Sequence, residues 1–117
     1  MRRPSKKELY NKIKTAKEIV TTGNIYQINQ VAIAADAIEL GYQVVKLRSI
    51  LLVLFEEIQI EDYIGGHPPQ KSYETQIKGL ELFEFRWLSK KFGCDVYLKY
   101  SLRNEIFYLV SLHKHRS

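Results

Sequence analysis

The chain of 117 residues has a single cysteine, Cys94, so it can form no internal disulfide and no thiolate metal site. Its three histidines, His67, His113 and His115, lack the tight spacing of a ligand set, and no metal or other cofactor is expected. Long apolar runs are missing too. The longest candidate, LRSILLVLFEEI, is interrupted by Arg48, Glu56 and Glu57, and reads as a buried helix rather than a membrane span. The basic start, MRRPSKKELY, lacks the apolar segment of a secretory signal, so the expectation is a cytoplasmic protein with no membrane partner. Glycine and proline are scarce, at six and three residues, and they cluster only in GGHPPQ at 65–70, which must therefore break the chain's regular structure.

What is present is ordinary globular material: 45% hydrophobic and 26% charged residues, enough for one domain over 1–117 with a core of its own. The net charge of +5 is unevenly placed. Residues 1–7 carry +4, residues 8–65 carry −3 and residues 66–117 carry +4, which favours an anionic partner for the C-terminal half. Mere solubility would account for the same charge.

Periodicity divides the chain at GGHPPQ. Before it, Ser5 and Glu8 fit a capping box, and Leu9, Ile13, Ala16, Ile19 and Val20 recur at helical spacing up to Gly23. Residues 24–29 are a connector able to extend. A second helix, QVAIAADAIEL, is expected to turn Val31, Ala34, Ala35 and Ile38 inward before Gly41. A third covers about 44–57, with Val44, Leu47, Leu51, Leu54 and Phe55 as its stripe. After GGHPPQ the period drops to two. LELFEFRWL alternates Phe83, Phe85 and Trp87 against Glu84 and Arg86, and two more strands follow at about 94–102 and 106–113. The fold class is α+β: N-terminal helices packed on a C-terminal antiparallel sheet of at least three strands.

The hairpin register decides which side chains are exposed, because a slip of one residue exchanges the two faces. A two-residue turn at Arg103 and Asn104 mixes both faces. A three-residue turn from Arg103 to Glu105 instead puts Cys94, Val96, Leu98, Tyr100 and Leu102 with Ile106, Tyr108, Val110 and Leu112 on an apolar side, and is preferred. The other side then shows Tyr97, Lys99, Phe107, Ser111 and His113, joined by Glu84 and Arg86 of the first strand. Such a face can hold phosphate with Arg86 and Lys99 and move protons with Tyr97 and His113, while Phe107 stacks a base. RNA is the natural substrate, because its 2′-hydroxyl is a built-in nucleophile. An ordinary solvated sheet face has the same composition, with Arg86 and Lys99 paired to Asp95 and Glu84.

Several stretches, in order, resemble the MqsR-type mRNA interferases, toxins of the RelE-like fold group. They are KEIVTTGNI, ADAIELGYQVVKLRSILLVL, IEDYIG and VYLKYSLRNEIFYLVSLHK, which together reach from about residue 12 to 114. The resemblance implies a RelE-like fold and metal-independent endonucleolytic cleavage of mRNA. It also implies silencing by a cognate antitoxin protein. Tyr97 in VYLK matches the family's active-site tyrosine, and His113, followed by Lys114, takes the place of its C-terminal lysine. Imidazole can take and return a proton near neutral pH. Arg86 after Phe85 matches an aromatic–arginine pair. One departure stands out: Ile64 follows Tyr63 where the family has a lysine, leaving His67 or Lys71 of the following loop as substitutes in substrate binding. Two other readings stay open, a non-catalytic RNA- or protein-binding module on the same scaffold and an interaction protein without a nucleic-acid role.

Overall fold

The computed structural model describes residues 6–66 and 68–115. Helix α1 (Lys6–Thr22) buries Leu9, Ala16, Ile19 and Val20, the stripe expected from their spacing, and Gly23 at φ +83° ends it by donating to the Val20 carbonyl. Ser5, the expected cap, lies outside the described residues. The connector does extend, as β1 (Ile25–Gln27). Asn29 then caps α2 (Gln30–Leu40), its side-chain oxygen accepting from the Ala32 amide at 3.0 Å. A short 3-10 turn at Val44–Lys46 leads into α3 (Leu47–Glu57), which buries Leu47, Ile50, Leu51, Leu54 and Phe55. The strands are β2 (Phe83–Ser89), β3 (Cys94–Arg103) and β4 (Ile106–Lys114).

The architecture is the expected α+β arrangement, with one addition. The sheet has four strands in the order β1-β4-β3-β2, and β1 runs parallel to β4, so the sheet is mixed. The three helices cover one face. Their side chains Ala16, Val20, Ile33, Leu51 and Leu54 meet Phe85, Val96, Leu98 and Leu112 of the sheet in one continuous core. Phe55 of α3 sits at its centre, edge-on to both Tyr100 and Phe107 with ring centroids 5.6 and 5.8 Å apart. Trp87 is core as expected, and its indole nitrogen donates to Glu57 at 2.8 Å.

Two expectations are corrected here. Helix α2 faces the other way: Ile33 and Ala37 are buried, whereas Val31 and Ile38 are 83% and 81% exposed. Both sides of this alanine-rich helix are apolar, so its own pattern sets no phase. The cap at Asn29 and the docking of Ile33 on the core decide it. The hairpin turn has two residues, not three. Arg103 pairs with Ile106 across Asn104 and Glu105, both at positive φ (51° and 60°). A register shift then follows, since Tyr100 opposes Leu109 while Lys99 opposes Ser111, leaving Val110 as the extra residue of a bulge. Near the turn, therefore, Phe107 and Leu109 point into the helical core and are wholly buried, so Phe107 stacks on no base. Ile106, Tyr108 and Val110 emerge on the second face, where Ile77, Leu80 and Leu82 of the preceding loop cover them.

The turn and the end of α3 each generate a prediction. A glutamate in the left-handed region costs roughly 1 kcal/mol that glycine does not. Glu105→Gly should therefore raise the melting temperature by roughly 4 °C without altering the fold, as read by thermal denaturation. Glu57 closes α3 onto the β2–β3 turn. Burial opposes its ionisation, but hydrogen bonds from Trp87, Ser89 and the Lys91 and Lys90 amides outweigh this and hold its carboxyl below the ordinary value. Its folded value being depressed, the stabilisation is present above the ordinary carboxylate range and is lost as pH falls through it. Glu57→Gln should cost about 1 kcal/mol at pH 7, allowing for solvent screening. Urea melts should show the gap between wild type and variant closing below about pH 4.

Candidate functional site

Among the described residues, the second face of the sheet is covered near the hairpin turn, by Ile77, Leu80 and Leu82. Beyond it, strand pairing lines up two rows of polar side chains across β2, β3 and β4. One row is Glu84, Lys99 and Ser111; the other is Arg86, Tyr97 and His113. Strand alternation alone would not have aligned them with the buried Phe107 and Leu109 on the opposite side. The bulge at Val110 restores the phase, so that His113 stands directly opposite Tyr97.

Contacts within the patch are specific. The Tyr97 and His113 rings stack with centroids 4.9 Å apart and planes at 26°. The Tyr97 hydroxyl donates to Glu84 Oε1 at 2.5 Å, a short charge-assisted bond. Burial, reinforced by the hydrogen bond to Glu84 and by its charge, pushes the phenol well above its ordinary value, so Tyr97 stays protonated. Lys99 places its ammonium 6.0 Å from the Tyr97 ring centre. Arg86 pairs with Asp95 at 3.3 Å, one of the cross-strand pairs anticipated for a solvated face, but both partners remain substantially exposed. The ring nitrogen Nδ1 of His113 lies 2.8 Å from the Lys114 carbonyl oxygen, which leaves Nε2 as its free nitrogen.

The borders come from segments outside the three strands. The stretch after α3 makes a 3-10 turn at Ile60–Asp62 and then lies along β2, with Tyr63 bridging Phe85 and the Ile64 amide donating to the Glu84 carbonyl at 2.9 Å. The Tyr63 ring packs edge-on against Phe85, and by alternation Ile64 flanks the polar face beside Glu84. Burial, with Glu84 and Glu81 nearby, raises the Tyr63 phenol to about 12. On the opposite border, the loop after GGHPPQ bridges Lys71 to Glu81 and borders an open cavity of about 210 Å³ that Lys71 and Lys99 both line.

The structure thus brings Arg86, Tyr97, Lys99 and His113 into one patch and sets Lys71 at its rim. Lys114 is different: it pairs with Val96 and falls on the face opposite to His113. His67 lies outside the described residues. His115 extends the ladder, its amide donating to the Asp95 carbonyl at 2.9 Å. Glu84 was legible as a member of the polar face, but its role as the acceptor of the Tyr97 proton emerges only from the β2–β3 register. Among the described residues, no group of three or more His, Cys, Asp or Glu side chains is arranged to hold a metal ion. None of their helices is long and apolar enough to cross a membrane.

No family model matches the chain, and no curated protein matches it either. What the structure defines is an α+β protein with an open, partly basic sheet face.

The Glu84–Tyr97 bond predicts a titration. In wild type, Tyr97 should remain protonated when the exposed tyrosines have ionised. Glu84→Gln removes the negative charge that opposes ionisation of both Tyr97 and Tyr63, so both should ionise at lower pH than before. Only the Tyr97 part should be missing when Tyr97 is replaced by Phe. Ultraviolet difference titration against a Tyr97→Phe control reads this directly; an identical curve for wild type and Glu84→Gln would refute the coupling.

Proposed function

We propose that the chain is a metal-independent endoribonuclease that cleaves mRNA, an MqsR-type toxin of RelE-like fold held in check by an antitoxin protein in the cytoplasm. One observation carries this reading: a stacked Tyr97–His113 pair on an open face, with the tyrosine hydroxyl on a carboxylate and two cations, Arg86 and Lys99, alongside.

The chemistry follows from that arrangement. Arg86 and Lys99 bind the phosphate that is to be broken and offset the charge that builds on its oxygens. The substrate's 2′-hydroxyl gives its proton to the Tyr97 oxygen as the Tyr97 proton moves to Glu84. The phenol relays the proton and never becomes an anion beside the carboxylate. The 2′-oxygen bonds to phosphorus while the bond from phosphorus to the 5′-oxygen breaks. The departing oxygen takes a proton from the His113 imidazolium. The products are a 2′,3′-cyclic phosphate and a 5′-hydroxyl, with one proton left on Glu84 and one lost from His113, exchanged afterwards through water. No step calls for a metal, because the nucleophile belongs to the RNA.

A second reading, a non-catalytic RNA- or protein-binding module, has its own observation. Ile64 is 52% exposed beside Glu84, where the resembled family carries a lysine, and Leu88, beyond Arg86 on the same strand, is 71% exposed. An apolar border of this kind fits a docking surface as well as a substrate groove.

Labelled RNA incubated with purified protein in EDTA separates the two. Wild type should release fragments ending in 2′,3′-cyclic phosphate. Tyr97→Phe and His113→Ala should each slow cleavage by roughly 100- to 10,000-fold, the range for one acid or base. RNA left intact by wild type but retained on the protein in a salt-dependent manner would establish the binding module instead.

A further inference from the structure

The loop between GGHPPQ and β2 does more than cover the hairpin. Its backbone is tied to itself by the Ser72 amide on the Leu80 carbonyl, the Gly79 amide on Ser72 and the Leu82 amide on Gln70, at 2.8–2.9 Å. It is tied to the sheet by the Ser101 hydroxyl on the Glu81 carbonyl at 2.6 Å and by Arg103 on the Gln76 carbonyl at 3.2 Å. Ile77 and Leu82 pack with Tyr108 in a small core of their own. The loop is therefore a fixed wall, and the space between it and the sheet is already formed.

That space is the cavity of about 210 Å³. We propose that it is a base-binding subsite, which takes the nucleobase adjacent to the phosphate handled by Tyr97 and His113; this rests on the ribonuclease reading above. Its size is below the roughly 300–1,000 Å³ of pockets for drug-sized molecules, so it accepts one ring system and leaves sugar and phosphate outside. Leu82 and the bulge residue Val110 supply an apolar lining. Tyr73, 88% exposed, stands at the same cavity with its ring presented to solvent, as a stacking platform requires. Gln70 and Glu74 bring an amide and a carboxylate to the lining, able to pair with the polar edge of a base. Lys71 and Lys99 are the cations available to flanking phosphates.

Lys99 joins the cavity to the chemistry. It lines the cavity, and it stands two residues along β3 from Tyr97, about 7 Å away on the same face. A strand of RNA with its phosphate between Arg86 and Lys99 reaches the cavity with the neighbouring base. The subsite would therefore set where the chain is cut, with Tyr73 and Gln70 as the residues that determine base preference.

The test uses short fluorescein-labelled 2′-O-methyl oligoribonucleotides, which cannot be cleaved, with each of the four bases or an abasic sugar at one position. Binding to the full chain is read by fluorescence anisotropy. Wild type should bind its preferred base roughly 5- to 100-fold more tightly than the abasic probe, the span for one stacked base. Tyr73→Ala should abolish that difference and Gln70→Ala should change which base is preferred, both with unchanged melting temperature. The subsite is overturned if wild type shows no base dependence, or if both variants keep the wild-type preference. A matching all-ribose oligonucleotide is run in parallel. Base-dependent binding without its cleavage would end the nuclease reading and leave the subsite standing, whereas cleavage without base dependence would do the reverse.

Discussion

The pairing of β3 with β4 is the constraint on which the rest of the structure depends, and its decisive feature is a single extra residue. Between the turn and the end of the hairpin, Val110 has no partner of its own. Without that bulge, a register that buries Phe107 and Leu109 would turn Leu112 to solvent and bring His113 into the core. With it, both ends of β4 present apolar side chains to the helices. Tyr97, Lys99, Ser111 and His113 come together on the opposite face. The same local twist aims Val110 at the loop that walls the face, so the core and the candidate site share one origin.

The two faces are built by different physics. On the helical side, Phe55, Tyr100 and Phe107 form an aromatic cluster, and burial of apolar surface dominates. On the open side, few groups are buried and the order is electrostatic. Glu84 fixes the Tyr97 hydroxyl, Asp95 restrains Arg86, and Lys99 lies within reach of the Tyr97 ring. Such a face is set in place by the core behind it rather than by its own contacts. This explains how a sheet of modest size can hold polar groups in a defined constellation while leaving them exposed to a partner.

The apolar elements at its border give the face its shape. Tyr63 and Ile64 lie along β2 as an added edge, and the loop carrying Lys71 and Tyr73 rises on the other side. Both segments are irregular and both are pinned by backbone hydrogen bonds, so the borders of the open face are fixed.

Much of this was legible in the chain itself. Helical spacing from Leu9 to Val20, the alternation of Phe83, Phe85 and Trp87, and the break at GGHPPQ specify their elements because each has one apolar side and one polar side. Tyr97, Lys99, Ser111 and His113 were expected on one face through a three-residue turn. The two-residue turn and the bulge at Val110 together give the same grouping, but with Phe107 moved into the core. Helix α2 failed this test: with Val31 and Ile38 on one side and Ile33 and Ala37 on the other, periodicity offers no choice, and only docking against the core selects one. The turn at Asn104 and Glu105 and the bulge at Val110 were equally hidden. A bulge shifts the phase of the alternation by one residue, but the run IFYLV at 106–110 is apolar throughout, so neither phase is marked there. Local chemistry therefore determined which elements form and which residues are polar. Tertiary packing alone decided how the strands slide past one another, and through that which side chains face Tyr97.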